Sequence, residues 1–385
     1  MELSYCTNVH PAEDLDGVLD QLDAFAGPVR LAAGLDRLGV GLWLPAALAH
    51  ELDRDARARL RLRDGLERNG LELRTINAFP YAAFHAEVVK LDVYRPDWTE
   101  ALRCEYTLAC ARVLAHLLPE GAAGSISTLP LAWREPWSAD DDAVATAAFA
   151  EVSAALADLR ERTGRTVRIA IEPEPGCVLD TVADIVDWLA PRLRTADAGD
   201  AGGGIDPEFV GVCLDTCHLA VSFADPVEAV RAVAAAGIRV VKVQASAALH
   251  AESPADPATR EALAGFVEAR YLHQTRELAA DGRVLPADDL PDALDLLPAD
   301  GPWRVHFHMP LHLAPPAPLA ATADVLREAV AAVLAIPHGD EAHLDVETYT
   351  WSVLPGGGDL VAGIAAELRW ASDELLAEAV AEVRA

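Results

Sequence analysis

The feature that most constrains this chain is a rhythm. Eight short runs dense in Val, Ile and Leu recur along it: Glu2–Thr7, Gly39–Leu44, Leu71–Ile76, Gly124–Leu129, Val167–Glu172, Val210–Asp215, Arg239–Gln244 and Leu344–Glu347. Their apolarity is continuous more than alternating, which suits parallel strands buried on both faces. Alanine-rich stretches of helical character lie between them, among them Asp141–Thr163, Thr181–Arg194, Pro226–Ala236 and Ala320–Ala335. A repeated strand-then-helix order argues for a parallel sheet. Eight such units suit a (β/α)8 TIM barrel. Such barrels run from about 200 to over 400 residues as one domain, so 1–385 is expected to be a single barrel domain. An open, doubly wound sheet is the alternative.

Two stretches depart from the rhythm. Trp303–His308 is a ninth strand-like run, preceded by a helical stretch from about Pro257 to Leu297. Both fit inside the seventh unit, as a helical insert over 246–304. The other option makes 303–308 the eighth strand and Leu344–Glu347 the surplus one. The second stretch follows strand three and carries Asn77, Phe79, Tyr81, Phe84, His85, Lys90, Tyr94 and Arg95. Connections this long are usually functional or disordered, and the aromatic content argues against disorder.

Net charge is −30. A field of that sign repels phosphate backbones and anionic lipid surfaces, so no nucleic-acid partner is expected. The arginines of Asp53–Arg68 are interspersed with acids and read as a solvated, ion-paired helix face. Six cysteines without a CxxC pair point to a reducing, cytoplasmic setting. The opening MELSYCTNVH has neither a basic nor an apolar leader region, and no apolar run is long enough to span a membrane.

In barrels of this kind the active site lies at the C-terminal ends of the strands. Strand five ends in Glu172, with Glu174 two residues on. Strand six ends in Asp215, followed by Cys217 and His218. Strand seven brings Lys242 and Gln244, and strand eight brings His343, Asp345 and Glu347. The ninth run supplies His306 and His308. Carboxylates directly after apolar strands are costly unless paired or bound to a cation. Glu172, Asp215 and Glu347 would converge on one mouth, where a divalent cation is the simplest neutraliser. Oxygen-rich ligands with one or two imidazoles suit Mn, Mg, Fe or Zn. Blander readings stand beside this one. Glu172 or Asp215 can cap a following helix, and His306 or His308 can be hydrogen-bonded core residues.

Glu at strand five, the DTCH segment at strand six, a polar residue closing strand seven and Glu at strand eight together resemble the xylose-isomerase-like barrel superfamily. LSYCTNVHPAEDL, CLDTCHLAVSF and HLDVETYTW resemble, more narrowly, a family of bacterial metabolite-traffic proteins. The superfamily resemblance implies metal ligands at Glu172, Asp215, Gln244 and Glu347. Gln244 stands where the superfamily usually has His, and His306 or His308 is the candidate to replace that imidazole. It further implies an isomerase or epimerase acting on a sugar, polyol or similar metabolite. A proton is taken from beside a carbonyl and the metal stabilises the enediolate. Glu172 or Glu347 would move the proton and His218 would hold a substrate oxygen. Asn77, Phe79, Tyr81, His85 and Lys242 are the candidate substrate contacts. A non-catalytic metabolite carrier, in contact with other proteins of its pathway, is the alternative. A nuclease is the third reading, which the net charge disfavours.

Overall fold

The computed structural model describes residues 1–194 and 204–376. The chain runs through β1 (Glu2–Cys6), β2 (Leu38–Trp43), β3 (Leu71–Asn77), β4 (Gly124–Thr128), β5 (Val167–Ile171), β6 (Val210–Asp215) and β7 (Val240–Ala245). Five short strands follow: β8 (Leu249–Ala251), β9 (Thr275–Leu278), β10 (Val284–Ala287), β11 (Trp303–Val305) and β12 (Ala320–Ala321). The last is β13 (His343–Val346). β1 to β7 and β13 close into a barrel in the order β1-β13-β7-β6-β5-β4-β3-β2. Leu344 of β13 stands between Leu3 of β1 and Val243 of β7, all parallel. This is a (β/α)8 TIM barrel, not an open sheet.

Trp303–His308 is therefore not the eighth barrel strand. Only Trp303–Val305 is extended into a strand, and it pairs antiparallel with β8 and β9. The segment expected to be helical, 246–304, holds two short helices, Pro257–Ala264 and Leu290–Leu296. It also supplies four strands of a five-stranded sheet, β10-β9-β11-β8-β12. Strands of three or four residues show too little of any period to be read from sequence. This layer has its own small core around Leu263, Phe266, Leu290, Trp303 and Phe307. The Ala320–Ala335 stretch begins as β12, and only Ala323–Leu334 is helix.

Most of the chain's buried apolar side chains pack between the barrel and its helices, where Ile126, Leu214, Val243 and Leu344 join Val113, Leu156 and Val330. Several of the helices start on side-chain caps. Ser138 with Asp141, and Thr181 with Asp184, form reciprocal capping boxes. The arginine-rich stretch becomes the helices Ala46–Arg54 and Ala56–Arg68. Arg61 meets Asp16 at 2.5 Å and Arg68 meets Asp23 at 2.8 Å. All six cysteines are buried and free. No helix among the described residues is long and apolar enough to cross a membrane.

The barrel interior is polar where such barrels are usually aliphatic. Lys242 Nζ lies 2.9 Å from Asp345 with both side chains fully buried. Ser4 Oγ donates to Asp345 Oδ1 at 2.6 Å. Gly41 makes room for this carboxylate, since a Cβ there would sit 2.3 Å from Asp345 Oδ2. Removing one partner of a buried ion pair strands the other. Lys242→Met is expected to destabilise the fold by roughly 3–5 kcal/mol in urea unfolding. Adding Asp345→Asn to it should recover most of that loss.

Two long connections roof the barrel mouth. The segment after β3 meets the insert where Val89 N and Lys90 N both donate to Arg270 O, at 2.8 and 3.0 Å. Lys90 Nζ adds an ion pair to Asp289 at 2.5 Å.

Candidate metal centre

Asp215 ends β6 and divides its two oxygens between two tasks. Oδ1 accepts from Cys217 N (2.8 Å), His218 N (3.0 Å) and Ser246 Oγ (2.8 Å), which caps the helix Thr216–Val221. Oδ2 is buried and has no hydrogen-bond partner. The capping and ligand readings of this residue thus fall on different atoms. Glu172 follows β5 and caps nothing. Its Oε2 is buried without a partner. Glu347 follows β13, and its Oε1 accepts from Asn8 Nδ2 (2.7 Å) and Asn77 Nδ2 (2.9 Å). Oxygens of Glu172, Asp215 and Glu347 come within 4.8 Å of one another.

Three histidines face the same space with their tautomers set from behind. Each Nδ1 meets an oxygen acceptor: His218 the Pro173 carbonyl (2.8 Å), His308 the Glu347 carbonyl (2.7 Å), and His306 the Gln274 side chain (2.7 Å). Gln274 is itself oriented, because its Nε2 donates to Glu174 Oε1 and Tyr94 Oη, both at 2.9 Å. Its Oε1 must therefore face His306, whose Nδ1 carries the proton. All three Nε2 atoms then carry lone pairs, and only that of His306 has a donor near it, the Tyr349 hydroxyl at 3.4 Å. Those of His218 and His306 stand 3.1 Å apart, and that of His308 has no partner and lies 3.8 Å from Asp215 Oδ2. Lone pairs so placed repel unless something positive lies between or beside them. Burial, then the neighbouring His218 and His308, hold His306 well below the usual imidazole range, so a proton is a poor filler. Glu174, His218 and His306 form one group of converging donors, and Asp215, His218 and His308 form another.

The carboxylates are under electrostatic strain of the same kind. Burial, then Glu347 and Asp215, push the Glu172 carboxyl well above its usual range. Burial and Asp215 push Glu347 up to about 8. Burial works against Asp215 too, but His218 and His308 outweigh it and hold that group low. Orphaned carboxylate oxygens, bare imidazole nitrogens and unrelieved repulsion fit a bound divalent cation. Ring nitrogens backed by carbonyl and amide oxygens are the usual support of such ligands.

A family model described as a xylose isomerase-like TIM barrel matches residues 30–329. The chain belongs to the xylose isomerase-like TIM barrel family. Among solved structures, this xylose isomerase-like barrel is similar to the IOLI protein with a binding zinc atom. Identity is 12% over 98% of each chain, with a TM-score of 0.48. It is similar to a xylose isomerase domain containing protein from Salmonella typhimurium at 12% identity, over 100% of this chain and 97% of that one (TM-score 0.42). It is also similar to a family 2 AP endonuclease from Brucella melitensis at 15% identity, over 63% of this chain and 78% of that one (TM-score 0.40). No curated protein matches the chain in sequence.

In this xylose isomerase-like barrel a pocket opens over the site, and Asn77, Phe79, Glu172, His218, His306, His308 and Glu347 line it. Tyr81 and His85 lie outside it. Tyr81 packs on Tyr106 (ring centroids 5.2 Å apart) and His85 on Trp43 (5.8 Å). Lys242 sits deeper, on Asp345. Gln244 stands in register between Asp215 and Asp345, fully buried, with neither side-chain polar atom hydrogen-bonded. Burial pushes the Cys217 thiol well up, which removes the thiolate that a nucleophile needs.

Residues not singled out for the site from sequence include Asn8 and Gln274. Asn8 follows β1 as Glu172 follows β5, so reading every strand end would have found it. Gln274 carries no local signal. We expect Gln274→Leu to lower divalent-cation affinity by about 10–100-fold, by calorimetric titration, because His306 loses the acceptor that fixes its tautomer.

Proposed function

We propose that this barrel is a metal-dependent isomerase or epimerase of a polyol- or sugar-like metabolite, acting by proton abstraction beside a carbonyl. The observation that carries the reading is the convergence of Glu172, Asp215 and Glu347, within 4.8 Å, under a pocket that Glu172 and Glu347 both line. These three would hold the cation, with His306, His308 and the unpartnered amide of Gln244 as further donors. A divalent cation bound there supplies a Lewis acid that polarises the substrate's carbonyl oxygen.

The chain's own groups account for the rest. Asn8 and Asn77 fix one oxygen of Glu347, so the other is presented in a set direction. Without metal its carboxyl titrates at about 8, and a bound cation would hold it ionised, the form that can take a proton. Glu172 flanks the same space and is the second candidate base. His218, locked by the Pro173 carbonyl, presents Nε2 for a substrate oxygen or the cation. The roof formed by the segment after β3 and the insert excludes water from the proton transfer. The narrower resemblance, to the metabolite-traffic protein EboE, agrees with a small diffusible substrate in the cytoplasm and with docking to other proteins of the same pathway.

The test is solvent exchange. Metal-loaded protein incubated in D2O with a sugar and polyol panel should place deuterium on a carbon of one member, and Glu347→Gln should abolish it. A panel that takes up no deuterium while one member binds would leave the barrel a metabolite carrier.

A further inference from the structure

We propose that the ligand of this pocket is an unphosphorylated polyhydroxy compound bearing an apolar substituent; the inference rests on the mouth being a metal-dependent site. The pocket has two unlike faces. The strand ends form a polar floor of Asn8, Asn77, Glu172, Glu347 and His308. The roof is apolar. Phe84, Val89 and Val93 come to it from the segment after β3, and Tyr271 and Leu272 come from the insert. Backbone hydrogen bonds from Val89 and Lys90 to Arg270 hold the two halves of the roof together. A bare polyol would leave that aliphatic and aromatic wall facing hydroxyls or water, whereas an apolar substituent would bury it.

The protein's own groups offer a phosphate ester no site. Proteins hold phosphates with Arg or Lys clusters or with free N–H groups at a helix N-terminus. Lys90 is the one Lys or Arg among the described lining residues. It is already engaged by Asp289 at 2.5 Å, with Glu268 O at 3.5 Å. The helix that starts at the mouth, Thr216–Val221, gives its Cys217 and His218 N–H groups to Asp215. A phosphate here would meet Glu172, Glu174 and Glu347 and no unclaimed cationic side chain. Hydroxyl and carbonyl oxygens carry no such charge penalty.

The experiment is a calorimetric titration of metal-loaded protein with three probes: glucose, glucose 6-phosphate and butyl glucoside. Butyl glucoside should bind at least about tenfold more tightly than glucose, as burial of several methylenes implies, and glucose 6-phosphate no more tightly than glucose. Val93→Asn and Leu272→Asn, on opposite halves of the roof, should each remove most of the butyl preference. Either variant that keeps its circular dichroism spectrum serves. Metal content is measured in the same samples. Protein that cannot be loaded with metal defeats the underlying reading of the site. Metal-loaded protein that prefers glucose 6-phosphate, that gains nothing from the butyl group, or that binds none of the three overturns this inference alone.

Discussion

Replacing Glu347 by Gln should make the metal-free protein more stable and the metal complex far weaker. The Glu347 carboxyl titrates at about 8 in the fold against an ordinary 4.5. A raised carboxyl binds more protons folded than unfolded. Its stabilising contribution is therefore complete below pH 4.5 and is lost as pH rises through about 8. By pH 8 the loss is on the order of 4 kcal/mol, an upper bound for one group. A neutral Gln retains an acceptor for Asn8 and Asn77 and cannot ionise. In EDTA the variant should unfold later than wild type at pH 8 and nearly together with it at pH 5. Divalent-cation affinity should fall by more than about 100-fold, beyond what loss of a supporting residue costs. A variant that is less stable at pH 8 and binds metal normally would show that Glu347 is structural.

The second large effect belongs to the wild type. Without metal, Glu172 and Glu347 are both raised, and both must ionise within 4.8 Å of the low-titrating Asp215 as pH rises. Metal-free protein should therefore lose stability steadily from pH 5 to pH 9. Cation binding requires the deprotonated carboxylates, so the bound form gains where the free form loses. At a free cation concentration of about 100 times Kd the added stability is about 2.7 kcal/mol. The gap between EDTA-treated and metal-loaded unfolding curves should widen with pH. Curves that run parallel from pH 5 to pH 9 would show that these carboxylates do not share a cation.

Much of this site is legible in the sequence because a barrel converts order along the chain into position around a rim. Glu172, Asp215 and Glu347 each follow an apolar run, and closure brings the ends of β5, β6 and β13 together. The strand period of two also explains Lys242. It lies two residues before Gln244 and so points inward one layer deeper, onto Asp345, where it serves the fold. His306 and His308 are recognisable as ligand types. Their route is not, because they lie just beyond β11, in an antiparallel layer whose strands are too short to show a period. Aromatic content marks the segment after β3 as a wall but does not say which rings face inward. Phe79 does, while Tyr81 and His85 turn to Tyr106 and Trp43. Gln274 is the least legible, since its role depends on Glu174 and Tyr94, 100 and 180 residues away in sequence.

The most direct test of a shared cation at the barrel mouth is anomalous diffraction from crystals soaked in Mn²⁺. An anomalous peak bounded by the carboxylates of Glu172, Asp215 and Glu347 is expected. Asp215→Asn, which keeps the helix-capping oxygen, should abolish or strongly weaken that peak. Mn²⁺ bound only elsewhere, or a full-strength peak in the Asp215→Asn crystal, would contradict the shared site.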